Sequence, residues 1–132
     1  MQSNEKHKSW FYHHLKNIIL NGNIKNVVIW GLTYTENTST LRKSLSIEIS
    51  KWLKYYNIKV FGYDKNVRKL SYPNNKLINL IKSPTSYLNK ADILIILGKS
   101  NNFLEVSKLK IQKINKKLII IDPNYFCNHF EK

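Results

Sequence analysis

A chain of 132 residues with 42% apolar side chains is long enough to bury one core and too apolar to remain disordered. The net charge of +14 draws anions in general and is silent about fold. Only Arg42 and Arg68 among the basic residues are arginine, so the guanidinium forks and aromatic platforms of nucleic-acid readout are not concentrated here, and nucleic acid is not an expected partner. A single cysteine, Cys127, excludes an internal disulfide and any multi-cysteine metal site.

In chain order, Trp10, Phe11, Leu15, Ile18 and Ile19 fall near helical spacing, and Asn21-Gly22 makes a natural stop, which predicts a helix over residues 8–20. Residues 25–31 follow as a short β-branched run, expected of a strand buried on both faces. The segment 32–40 is loop-like and rich in hydroxyls. From Leu41 the apolar spacing Leu45, Ile49, Trp52, Leu53, Tyr56 predicts a second helix, capped by Ser39 or Thr40 and ended by Asn57. Residues 58–63 read as a second strand, so residues 25–64 form a βαβ unit, which joins parallel strands.

Residues 65–82 are harder to read. Pro73-Asn74-Asn75 marks a turn, and Leu77, Ile78, Leu80 and Ile81 suit either a helical turn or a short strand. Ser83-Pro84 is expected to open a short helix reaching Lys90. A third strand is expected at residues 93–97, closed by Gly98, then a partly helical stretch over 101–114, and a fourth strand at 118–121 ending in Asp122-Pro123. The alternation predicts a three-layer, Rossmann-like α/β sandwich with a parallel sheet of four or five strands, preceded by an N-terminal helix. Residues 1–24 are read as helix and lead-in, 25–126 as the domain, and 127–132 as a tail.

No apolar run approaches the roughly 20 residues of a membrane span, and no signal-like segment opens the chain, so no membrane partner and a cytoplasmic location are expected. His7, His13, His14 and His129 lack ligand spacing with acids or cysteine, so no metal is expected.

In parallel sheets of this kind, ligands bind beyond the carboxyl ends of the strands. That points to the loop after the first strand. Gly31 lets the chain turn sharply, the helix behind offers free amides to an anion, and Arg42 adds a planar fork. Neither the dinucleotide fingerprint nor a Walker loop is present. On chemistry alone, this is equally a diphosphate cradle or a structural loop with a capped helix, and Arg42 equally an ion-pair partner.

Order along the chain sharpens the reading. Residues 29–44, Ile-Trp-Gly-Leu-Thr-Tyr-Thr-Glu-Asn-Thr-Ser-Thr-Leu-Arg-Lys-Ser, resemble the signature opening the C-terminal, nucleotide-sugar-binding domain of the UDP-glucose/GDP-mannose 6-dehydrogenase family. The resemblance runs on through Val60-Phe61-Gly62-Tyr63-Asp64, Ala91-Asp92-Ile93 and the strand to Leu97, and Ile120-Ile121-Asp122-Pro123-Asn124. It implies that Gly31, Thr33, Tyr34, Thr35, Asn37, Thr38, Arg42 and Asn124 line the site of a UDP- or GDP-sugar.

Departures from the family pattern are informative. Thr35 stands for a lysine near the ligand, Ser39 and Thr40 for two aspartates, Lys43 for a glutamate, Gly98 for a threonine and Asn124 for an arginine that often contacts the diphosphate. Losing two cations implies weakened binding.

The family oxidises the sugar 6-hydroxyl to a carboxylate with NAD, through a catalytic cysteine. The NAD fingerprint and that cysteine lie upstream in the family and are not found here, and Cys127 does not match the nucleophile. The resemblance therefore implies no catalytic residue and no cofactor held by this chain alone. It further implies a stand-alone or split binding domain, which either complements a separately encoded dehydrogenase half or is a remnant of a full enzyme. A non-catalytic interaction module on the same fold, associating with itself or with a partner dehydrogenase and binding no nucleotide, is the alternative.

Overall fold

The computed structural model of the protein describes residues 2–32, 45–98, 103, 106 and 108–122, the first nine of them by backbone alone. Helix α1 spans Gln2–Asn21, strand β1 Asn26–Trp30, helix α2 Leu45–Tyr55 and strand β2 Lys59–Tyr63. A 3-10 turn at Asn74–Lys76 precedes the two-residue strand β3, Asn79–Leu80. Strand β4 is Ile93–Ile96, helix α3 Lys108–Ile114 and strand β5 Ile119–Ile121.

All strand pairings are parallel, in the order β3-β2-β1-β4-β5. Trp30 stands level with Tyr63 on one side and with Ile96 on the other. The two central strands are buried on both faces, which is why their sequences are unbroken apolar runs.

Successive residues of a strand point to opposite faces, and two cores result. Val27, Ile29, Ile93 and Ile95 face one way and pack with Phe11 and Leu15 of α1 and Ile49 and Leu53 of α2. Val28, Trp30, Leu94 and Ile96 face the other way, against Leu88, Phe103, Val106 and Ile111 of α3. Burying a side chain such as Phe11 or Leu15 contributes ~1.5–3 kcal/mol each, so α1 is fixed by its packing on the sheet rather than by propensity. An edge-on aromatic contact, Tyr12 to Trp52 at 5.5 Å, ties α1 to α2, and Trp52 in turn meets Tyr56 at the end of α2 at 5.0 Å.

Helix α2 stops as expected at Asn57, whose φ of 61° places it in the left-handed region. The Asn57 N–H donates to the Lys54 carbonyl at 2.9 Å and the Ile58 N–H to Leu53 at 3.1 Å, the paired bonds of a Schellman motif. At the amino end of the sheet, the Asp92 carboxylate accepts the N–H groups of Lys25 and Asn26 at 2.8 and 3.0 Å.

The helix expected from Ser83 to Lys90 does not form. Ser86 bonds back to Ser83, Leu88 to Thr85, Lys90 to Tyr87 and Ala91 to Leu88, each closing a single turn across three residues. Tyr87 at φ 64° interrupts the helical path, and its ring stacks on Phe61 at 4.3 Å. The Ser83 hydroxyl meets the Ser86 hydroxyl at 2.8 Å instead of capping backbone. The expected caps Ser39 and Thr40 lie outside the described residues. Among the described residues, no helix is long and apolar enough to cross a membrane.

Candidate functional site

Strands β2 and β3 lie on one side of β1, and β4 and β5 on the other, so the chain reverses its direction of winding between β1 and β4. In an open parallel sheet the carboxyl end of such a switch is the crevice where ligands bind. Gly31 and Gly98 stand there, one after each strand.

The two glycines are each other's reason. Gly31 has φ 97°, and a Cβ on it would run into the backbone nitrogen and Cα of Gly98. A Cβ on Gly98 would lie 2.7 Å from the Gly31 Cα. No side chain fits between these strand ends unless the backbone moves. The glycine at position 98 is thus matched to the close approach of Gly31.

Three neighbours fix the first residues of the loop that follows. The Gly31 N–H donates to the Tyr63 carbonyl at 2.8 Å, at the end of β2. The Leu32 N–H donates to Asp64 Oδ2 at 2.9 Å, while Asp64 Oδ1 accepts the Asn66 N–H at 2.9 Å. The Ser46 hydroxyl, on the first turn of α2, donates to the Gly31 carbonyl, and Ser50 donates to the Ser46 carbonyl at 2.7 Å. On the β4 side, the Leu97 and Gly98 N–H groups share the Trp30 carbonyl at 2.9 and 3.0 Å. Buried backbone groups unpaired here would each cost about 1–3 kcal/mol, so the loop's exit path is strongly specified.

Below the edge, Trp30 stacks on Phe103 at 4.9 Å and donates its indole N–H to the Pro84 carbonyl at 2.8 Å. Tyr63 meets the same Phe103 edge-on at 6.2 Å. The edge therefore rests on an aromatic floor.

Of the residues singled out from sequence, Gly31 is at the switch point. Thr33, Tyr34, Thr35, Asn37, Thr38, Arg42 and Asn124 lie outside the described residues, as does Cys127. Sequence reasoning missed the positioning roles of Gly98, Asp64 and Ser46. Their signals were present: a glycine and an acid directly after apolar strands, and serines four apart on the apolar face of α2.

A doubly wound α/β domain, with paired glycines in close approach at its switch point, has the architecture of the broad class of nucleotide-binding folds. Residues 28–129 match the model of the UDP-glucose/GDP-mannose dehydrogenase family, UDP binding domain. The chain belongs to that family, and the matched part is its C-terminal, UDP-binding domain.

Two similar proteins are UDP-N-acetyl-D-mannosamine dehydrogenases. That of Methanococcus vannielii is 31% identical over 118 residues, covering 87% of this chain and 26% of the relative. That of Methanocaldococcus jannaschii is 29% identical over 113 residues, covering 83% and 25%. The chain thus spans about a quarter of the length of these relatives. Among solved structures, a UDP-glucose dehydrogenase from Pyrobaculum islandicum superposes with a TM-score of 0.74 at 17% identity, over 97% of this chain and 29% of that one. The UDP-N-acetyl-mannosamine dehydrogenase of Staphylococcus aureus gives 0.66 at 21% identity, over 89% and 27%. At such identities these two likenesses bear on the fold.

Proposed function

We propose that this chain binds a UDP-sugar at the carboxyl edge of β1 and β4, as the binding domain of a nucleotide-sugar 6-dehydrogenase. The observation that carries the reading is the family match over residues 28–129, which includes the loop leaving the Gly31–Gly98 switch point. In this reading Gly31 allows the backbone to approach the diphosphate. Thr33, Tyr34, Thr35, Asn37 and Thr38 supply hydrogen bonds, and Arg42 supplies the one planar cationic fork. Asn124 is read as a neutral donor to the ligand.

Oxidation of the sugar hydroxyl to a carboxylate would need NAD and a catalytic cysteine. Both are proposed to come from the parts of the enzyme that this chain does not match, in the same or a separate polypeptide. That polypeptide, or a second copy of this chain, is the proposed protein partner, and the cytoplasm the proposed place of work.

Calorimetric titration tests the binding step directly. UDP-N-acetylmannosamine and UDP-glucose are expected to give saturable heats, the first being suggested by the names of the relatives. Arg42→Ala is expected to weaken binding about tenfold or more, the loss of one charge-assisted bond. No heat with either sugar at millimolar concentration would exclude the reading.

A further inference from the structure

A second feature of the carboxyl edge lies on the β2 side of β1. At the ends of β2 and β3 lies a hollow of about 520 Å³. Its floor is apolar, from Val67, Leu80 and Ile81, and its rim carries Lys65, Arg68 and Lys82. All three cations are exposed, whereas Val67 and Ile81 are buried. The acid among the described residues of its wall, Asp64, is buried and directs its two oxygens at the N–H groups of Leu32 and Asn66. Three cations thus border the hollow, and the Asp64 carboxylate holds backbone.

We propose that this hollow binds a phosphomonoester, with its phosphate among Lys65, Arg68 and Lys82 and a small uncharged body over the Val67–Leu80–Ile81 floor. Arg68 offers a planar fork suited to two phosphate oxygens, and the lysines offer mobile point charges. The hollow is larger than a bare phosphate requires, and its apolar floor gives no partner to a second charge. Those two facts favour an ester over the free anion and over a dicarboxylate. The described residues of its wall come from β2, β3 and the turn after each, whereas the proposed UDP-sugar edge lies at the ends of β1 and β4.

Backbone amide NMR distinguishes a site from the general attraction of a chain with net charge +14. Glycerol 3-phosphate and inorganic phosphate are titrated at fixed ionic strength set with sodium chloride. Saturable shifts are expected at Lys65, Asn66, Val67, Arg68, Ile81 and Lys82, with the ester binding more tightly than phosphate. Arg68→Gln and Lys82→Gln, both at exposed positions, are each expected to weaken binding about tenfold. The amides of β1 and β4 should be unchanged in both variants, and Arg42→Ala should leave the response intact. The proposal is overturned by shifts that stay linear in concentration, spread over the lysines at large, or centre on Gly31, Leu32 and Gly98. A weakening under twofold in Arg68→Gln overturns it as well. Because UDP-sugar binding is read at the Gly31 edge, either site can fail without the other.

Discussion

Gly31 meets two requirements that only glycine satisfies, a φ of 97° and the absence of any atom where Gly98 passes. Gly31→Ala adds backbone strain of about 1–3 kcal/mol and a clash of similar size. It is expected to lower unfolding free energy by at least about 2 kcal/mol in urea titration; an unchanged midpoint would contradict the close approach. The turn at Gly31 was legible in the sequence as a glycine after an apolar run. Gly98, Asp64 and Ser46 left signals in the sequence, but what each one holds was not legible, because it is set by a contact with a residue far away in the chain. A second residue-level consequence concerns Tyr12. Burial first, and then the nearby Glu48 carboxylate, push its phenol from 10.0 up to about 12. The folded state holds this proton longer than the unfolded chain, so the group's contribution is whole below about pH 10 and is lost as pH rises toward 12. Tyr12→Phe has no proton to release. Its stability is expected to fall less steeply than the parent's between those values, with one late phenolate step missing from the ultraviolet titration. Parallel slopes would contradict the shift.

Among the elements, the central strands were the most legible. A strand covered on both faces must be apolar throughout, and Val27-Val28-Ile29-Trp30 and Ile93-Leu94-Ile95-Ile96 have no other reading once turns bound them. Strand β3 was ambiguous for a physical reason. With two residues it has no period to detect, and its place comes from pairing Asn79 with Phe61 and Leu80 with Gly62. Gly62 is also where β2 is crowded, since a Cβ there would lie 2.8 Å from both Ile78 and Leu32. The segment from Ser83 misled because a serine and a proline are good openers only if the following residues keep helical angles, and Tyr87 does not. Asn57, by contrast, read correctly as a stop. Its left-handed conformation gives a test of element ends: Asn57→Gly is expected to be neutral or to stabilise by up to about 1 kcal/mol, and Asn57→Ala to cost about 1 kcal/mol. Equal midpoints for the two variants in urea would argue against the Schellman stop.

At the scale of the whole molecule, the class of fold followed from alternation of elements, and the family from four landmarks in order. The contents of the ligand site were legible only through that family likeness, since hydroxyls, one arginine and a glycine suit a capped loop as well as a diphosphate. The structure adds why the loop leaves β1 where it does. Two glycines, one buried carboxylate and one serine fix its first two residues at the switch in strand order. A ligand seated there must disturb the amides of Gly31, Leu32 and Gly98 before any others in the sheet. The most direct measurement is therefore a UDP titration followed at those three amides. Saturable shifts confined to them and the loop after β1, needing about tenfold or more ligand in Arg42→Ala, are the expected result. Shifts centred elsewhere on the sheet, or none at millimolar UDP, would contradict nucleotide binding at this edge.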